Sequence, residues 1–190
     1  MGFPRVEACL RRRIFACMET VNIRLVRDAE LETLRAFAER TFRAAWQDDN
    51  EPVAFEAYCR QAFALEKLQA EAVEPGSEFY FAESEGRIAA YLKLRLNCIP
   101  HTWADSNALQ LERIYVDHTV QSRGLGAYLL TFTEQRARDT GAEWVWLSVW
   151  QRSPRSIAFY QRNGYEIFGV ETFWVGNDPQ PDWLMRKKTG

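Results

Sequence analysis

The chain has 190 residues, 47% hydrophobic and 14% aromatic, which suffices for one domain with a buried core and rules out a disordered chain. Its 24 basic and 26 acidic residues leave a net charge of -2, with no positive excess to bind a nucleic-acid backbone. No apolar stretch approaches the roughly 18 residues that a membrane span needs.

Residues 1–19 differ in character from the rest of the chain. Arg11, Arg12 and Arg13 precede only a short apolar run, Ile14 to Cys17, without the core or cleavage site of an export signal. The stretch reads as an N-terminal extension ahead of a natural start at Met18, or as a short arm. Residues 20–190 then form a single domain, expected in the cytoplasm. Cys9, Cys17, Cys59 and Cys98 make no CxxC, and only His101 and His118 accompany them, so neither a zinc site nor a disulfide framework is expected.

Segment 22–27 alternates as a strand, and Asp28 stands where it can cap a helix in which Leu31, Leu34, Phe37, Ala38, Phe42 and Ala45 recur. Asn50-Glu51-Pro52 restarts a helix with Pro52 in its first turn; it carries Phe55, Tyr58 and Phe63 and ends near Val73, before Pro75-Gly76. A hairpin comes next, strands 78–83 and 87–96 about Ser84-Glu85-Gly86, and then a polar loop over 97–107. Strand 109–116, helix 124–140, strand 144–150 and helix 154–163 succeed it, the last closed by Asn163-Gly164, with short strands near 165–175 and 182–187. A helix between strands 109–116 and 144–150 demands a crossover, hence a parallel pair in a mixed sheet.

The chemistry lies at Gln121-Ser122-Arg123-Gly124-Leu125-Gly126, between a strand and the helix it opens. A glycine-rich entry to a helix presents unpaired N–H groups and the positive end of the helix dipole, a cradle for a phosphate or pyrophosphate; the bland alternative is a tight turn. No Lys follows Gly126, so this is not a P-loop, and Leu129 stands where a dinucleotide fingerprint needs its third glycine.

Gln121-x-x-Gly124-x-Gly126 resembles the [QR]xxGx[GA] acyl-CoA loop of the GCN5-related N-acetyltransferase (GNAT) superfamily. Strand 111–116 (LERIYV) and segment 153–165 (SPRSIAFYQRNGY) resemble other parts of that signature, and the resemblance covers 20–188. Stretches 109–115, 146–151, 158–160 and 182–187 (DWLMRK) are similar to PaiA-type spermidine/spermine acetyltransferases. The resemblance implies an α/β fold whose mixed, mostly antiparallel sheet has a splayed parallel pair and about four flanking helices. It implies acetyl-CoA as co-substrate, no metal, a small-molecule amine as acceptor and, by analogy, a homodimer.

By that resemblance the pyrophosphate sits on the N–H groups of Ser122, Arg123, Gly124, Leu125, Gly126 and Ala127, beside Gln121. The backbone of Ile114, Tyr115 and Val116 takes the pantetheine arm. Tyr160 matches the tyrosine that protonates the leaving thiolate, with a half-buried packing residue as the alternative. Ser153 stands where the family usually has Asn contacting the cofactor, a departure from the pattern, and as Ser it can cap the helix and hydrogen-bond.

An ammonium titrating near 10.4 needs a base at neutral pH. Glu112 is the candidate, with Gln110 at the position used by histone-acetylating relatives, and an ion-paired structural Glu is the alternative. Strict alternation puts Glu112, Ile114 and Val116 on one face and Arg113 and Tyr115 on the other. Asp48, Asp49 and Glu51 are candidate carboxylates for a polyamine groove, or else a solvated loop. Trp144 and Trp146 read as packing residues, and Trp150 as packing or as a wall of the acceptor pocket. A protein N-terminus or lysine as acceptor, and a CoA-binding sensor without catalysis, are the rival functions.

Overall fold

A computed structural model describes residues 21–100, 103, 107–120 and 124–190. The expected extension at 1–19, His101, and Gln121, Ser122 and Arg123 lie outside the described residues. In chain order the elements are β1 (Asn22–Leu25), α1 (Leu31–Trp46), α2 (Pro52–Ala62), α3 (Leu65–Val73), β2 (Ser77–Ser84), β3 (Arg87–Arg95) and β4 (Ala108–Val116). They continue with α4 (Leu125–Asp139), β5 (Trp144–Trp150), α5 (Pro154–Arg162), β6 (Glu166–Val175) and β7 (Asp178–Lys188). The strands form one sheet in the order β1-β2-β3-β4-β5-β7-β6, and β4–β5 is its parallel pair.

Five α-helices stand among the described residues, where about four were expected. The difference arises because 52–73 is two helices. Phe63 is buried against Phe42 at a ring separation of 5.4 Å, and Ala64 turns extended, so that α3 can bury Leu68. Glu51 caps α2 by accepting hydrogen bonds from the N–H groups of Val53 (2.9 Å) and Ala54 (2.7 Å), and Pro52 fills the first turn as expected. Asp28 does not cap α1. It lies in a 3-10 turn, Asp28–Glu30, where the Glu30 carboxylate accepts from the Arg27 N–H at 3.1 Å and pairs with Arg24 at 2.8 Å.

β7 begins four residues earlier than the sequence pattern predicts, and the added residues include Pro179 and Pro181, a residue type confined to strand edges, first positions and bulges. Their ladder partners are on β6, and the β5 ladder joins β7 from Asp182 onward, so neither proline has to donate a hydrogen bond toward β5; the Pro181 carbonyl still accepts from the Gln151 N–H, just past β5, at 3.0 Å.

Helices cover both faces of the sheet. Phe37, Phe42, Phe55, Leu68, Phe79, Phe81 and Tyr91 form the core under α1–α3. Leu92, Leu94, Leu109, Leu111, Leu129, Leu130, Val145 and Leu147 form the core under α4 and α5. Alternate residues of β2 and β3 feed opposite cores, and each fully buried large side chain contributes about 1.5–3 kcal/mol. A third cluster, Ala108, Trp146 and Leu184, lies on the α1–α3 face, where the Trp146 Nε1 donates to the Cys98 carbonyl at 2.7 Å. Trp144 and Trp146 are packing residues, as expected; the Arg186 guanidinium lies 4.6 Å from the Trp144 ring centroid.

Candidate functional site

The parallel pair is short. Ala108, Leu109 and Gln110 match Trp144, Val145 and Trp146, and beyond Gln110 the two strands separate. On its other edge β4 stays paired with β3, but Lys93 matches Arg113 while Leu94 matches Leu111, so Glu112 is the extra residue of a bulge.

This bulge corrects the alternation expected for Glu112. Leu111, Ile114 and Val116 pack with the α4–α5 core, and Tyr115 with the α1–α3 core. Glu112 accepts a 2.8 Å hydrogen bond from Lys93 Nζ, which lies 5.5 Å from the Phe79 ring centroid in the α1–α3 core. Glu112 therefore shares a face with Arg113 and Tyr115, and not with Ile114 and Val116. An alternating pattern cannot reveal an inserted residue.

Glu112 is also deep in an ionic network. Lys93, 2% exposed, bridges Glu112 (2.8 Å) and Glu71 of α3 (2.9 Å), and Arg113 reaches Glu71 at 2.9 Å and Glu112 at 3.3 Å. Burial pushes the Glu71 carboxyl up, but Arg113 and Lys93 outweigh it and hold it below the usual range.

Where β4 and β5 part, a cleft of about 480 Å³ opens. Its walls include Trp46 of α1, Tyr58 of α2, Leu111 to Tyr115 of β4 and Ser148 to Trp150 of β5, and β6–β7 add Glu171, Phe173, Gln180 and Asp182. From the opposite face α5 contributes Ser156 and Tyr160, so the cleft draws on both cores and runs through the sheet. Tyr160 is buried beside Phe159 and Tyr165, and burial, then Tyr115, hold its phenol well above its ordinary value. Trp46 Nε1 donates to the Tyr115 hydroxyl at 3.1 Å, and burial pushes that phenol up to about 12.

Backbone direction along β4 follows from one bond: the Asp117 N–H donates to the Ala89 carbonyl at 2.8 Å. Antiparallel alternation then aims the Tyr115 peptide groups at β3, and those of Ile114 and Val116 toward the gap. At the start of α4, Gly124 is left-handed with φ 82°, a conformation that L side chains rarely adopt. The first helical bond is Tyr128 N–H to the Gly124 carbonyl at 3.1 Å, so the amides of Leu125, Gly126 and Ala127 have no intrahelical acceptor. Gly126 has a packing reason too: a Cβ there would lie 3.1 Å from the Phe159 ring. Ser153 is at the N-cap of α5, but its hydroxyl bonds the Ser156 hydroxyl at 2.8 Å and caps no backbone N–H.

The expected groove carboxylates are elsewhere. Asp48 and Asp49 are exposed in a 3-10 turn and Glu51 is spent on its own helix; their neighbour Asn50 lines the cleft instead. Trp150 does wall the cleft, its ring 5.8 Å from that of Trp46.

The sequence reading missed Asp182 and Glu171. Trp150, Asp182 and Glu171 match across β5, β7 and β6, so the three project from the same face. Asp182 is 6% exposed and its Oδ1 has no hydrogen-bond partner among the described residues. Burial, then Glu171, raise its carboxyl to about 7, with Ser148 acting against them. Asp182 opens the PaiA-like stretch 182–187, yet nothing in one strand shows what lies across from it. No group of three or more His, Cys, Asp or Glu among the described residues could hold a metal ion, and no described helix is long and apolar enough to cross a membrane.

The profile of the acetyltransferase (GNAT) family matches residues 31–165. An uncharacterized N-acetyltransferase from the pepI 3′ region of Lactobacillus delbrueckii subsp. lactis is 34% identical over 170 residues, 90% of this chain and 98% of that one. An uncharacterized N-acetyltransferase of Mycobacterium tuberculosis (strain ATCC 25618 / H37Rv) is 26% identical over 156 residues, 82% of this chain and 96% of that one. Among solved structures, the PaiA N-acetyltransferase of Thermoplasma acidophilum in complex with coenzyme A is similar at a TM-score of 0.70 and 21% identity, over 89% of this chain and 99% of that one. A GCN5-related N-acetyltransferase of Rhodopseudomonas palustris is similar at a TM-score of 0.71 and 17% identity, over 89% and 96%.

Proposed function

The chain belongs to the acetyltransferase (GNAT) family, and on that premise we propose that it transfers the acetyl group of acetyl-CoA to a primary amine of a small polyamine such as spermidine or spermine. Acetyl-CoA supplies an activated acyl thioester; the chain supplies binding, orientation and proton handling. Its residues fit that partner. The left-handed Gly124 and the amides of Leu125, Gly126 and Ala127, which have no acceptor within the helix, suit a pyrophosphate at the positive end of α4, with Gln121, Ser122 and Arg123 immediately before them in sequence. The Ile114 peptide, directed into the gap, suits an extended arm laid beside β4 as an added strand. The Thermoplasma PaiA structure, similar in fold, contains coenzyme A.

Tyr160 is the proton donor to the departing thiolate. Burial keeps its phenol neutral, which is the form that can give a proton. Acceptor attack takes place at the opening between β4 and β5, where the cleft meets Tyr160.

One observation carries the choice of a cationic acceptor. Glu171 and Asp182 face the cleft with no ion-pair partner among the described residues, beside the aromatic walls Trp46, Tyr58, Trp150 and Phe173. Unpaired carboxylates beside aromatic faces attract ammonium groups and repel anions. The test is release of coenzyme A thiol from acetyl-CoA with spermidine, a lysine peptide, a peptide with a free N-terminus, and no acceptor. Spermidine is expected to give the largest kcat/KM. A preference for either peptide refutes the polyamine reading, and binding of acetyl-CoA without turnover on any amine refutes the catalytic one.

A further inference from the structure

Glu112, the candidate proton acceptor by sequence with an ion-paired structural role as its alternative, has a rival whose setting differs in kind. Glu112 is surrounded by cations: Lys93 at 2.8 Å, Arg113 at 3.3 Å and Arg95 at 3.7 Å. Its oxygens are already engaged by three cationic side chains. Asp182 is the opposite case: a 94% buried carboxylate is costly without partners, and here one oxygen has none among the described residues. That oxygen belongs to a residue lining the cleft, next to Trp150 on one strand and Glu171 on the other.

We propose that Asp182 seats the acceptor ammonium and accepts its proton, while Glu171 holds a second positive charge of the same substrate. This rests on the assignment of the chain as an acetyltransferase. The ammonium gives one proton to Asp182, and the freed nitrogen lone pair forms the C–N bond to the acyl carbon. The C–S bond breaks with its electron pair going to sulfur, which takes the Tyr160 proton. The second nitrogen proton restores the phenol, and Asp182 releases its proton to solvent. The products are an N-acyl amine, a thiol and one proton.

The surroundings of Asp182 suit this duty. Glu171 on β6 is the charged group that acts on it most strongly, and Ser148 on β5 is the hydroxyl that favours its ionised form. Tyr115 on β4, Tyr58 on α2 and Tyr160 on α5 share the cleft, and burial keeps all three phenols protonated at neutral pH. Glu71, Arg113, Glu112 and Lys67 also line the cleft, and Glu71 pairs with both Arg113 and Lys93. A carboxyl that titrates at about 7 is half ionised at neutral pH, as a general base should be.

The experiment measures kcat and KM for spermidine against pH in the native chain, Asp182→Asn, Glu171→Gln and Glu112→Gln. Acetyl-CoA affinity is followed by calorimetry and the Asp182 carboxyl by 13C NMR. Asp182→Asn is expected to lower kcat about 100-fold or more, abolish the acidic limb of the profile and leave acetyl-CoA affinity unchanged. Glu171→Gln removes a like charge, so it raises the spermidine KM and moves the limb to lower pH. Glu112→Gln leaves the limb in place. The proposal is overturned if Asp182→Asn keeps kcat within about threefold, if Glu112→Gln removes the limb, or if the Asp182 carboxyl titrates near 4. Should Asp182→Asn fail to fold, an unmoved limb in Glu171→Gln overturns it. A native chain that binds no acetyl-CoA refutes the acetyltransferase reading itself, whereas a native enzyme untouched by these variants refutes only the assignment to Asp182.

Discussion

Asp182→Asn is expected to stabilise the ligand-free fold in alkaline solution. In the folded chain the carboxyl titrates at about 7, against an ordinary 3.8. As pH rises the unfolded chain loses this proton first, so between those values the folded state binds more protons and stability falls with pH. The contribution of the protonated group is complete below 3.8 and is lost as pH rises through about 7. At 1.36 kcal/mol per pH unit this difference is about 4 kcal/mol, and screening by water at the open end of the cleft reduces it to about 2 kcal/mol. Asparagine carries no such penalty. In a chain of 190 residues, about 2 kcal/mol raises Tm by about 4–8 °C. Scanning calorimetry of both proteins at about pH 4.5 and about pH 8.5 measures it, since every other titrating group is common to the two and cancels. The Tm advantage of the variant should grow by that amount at the higher pH. Parallel Tm curves would refute the reasoning and show that the carboxyl is not strained by burial.

Three further perturbations test the site. Tyr160→Phe should lower kcat about 100-fold with acetyl-CoA affinity unchanged; a loss under about threefold leaves the phenol a packing residue. Gly124→Ala forces a side chain into a left-handed turn, costs about 1 kcal/mol by urea unfolding and weakens acetyl-CoA binding by calorimetry; unchanged binding would remove this turn from the anion cradle. Lys93→Met leaves Glu71 and Glu112 without the cation that bridges them, and the urea midpoint should drop by the equivalent of about 3 kcal/mol; a loss below about 1 kcal/mol would mean that Arg113 alone holds the pair.

Local patterns carried much of the fold. The glycine pair that opens α4, the proline that starts α2 and the continuous apolar runs of β2, β3 and β5 are written in neighbouring residues, because caps, turns and two-sided burial each act within a few positions of the chain. The same local character made Gln121 to Gly126 and the segment around Tyr160 recognisable as resembling a family motif. Whatever depended on residues far apart in sequence was settled only by the assembled sheet. The bulge at Glu112 is visible only against β3, the ion network around Lys93 joins α3, β3 and β4, and the row Trp150–Asp182–Glu171 exists only once β7 lies between β5 and β6. Asp48, Asp49 and Glu51 drew notice, as groove carboxylates or else a solvated loop, because they fall together between the first two helices, and Asp182 did not because its companions are on other strands. Burial, and with it the chemistry of a carboxyl group, is a property of what packs around a residue, so the chain alone specified the glycine pair that opens α4 and the tertiary fold decided which acids line the cleft.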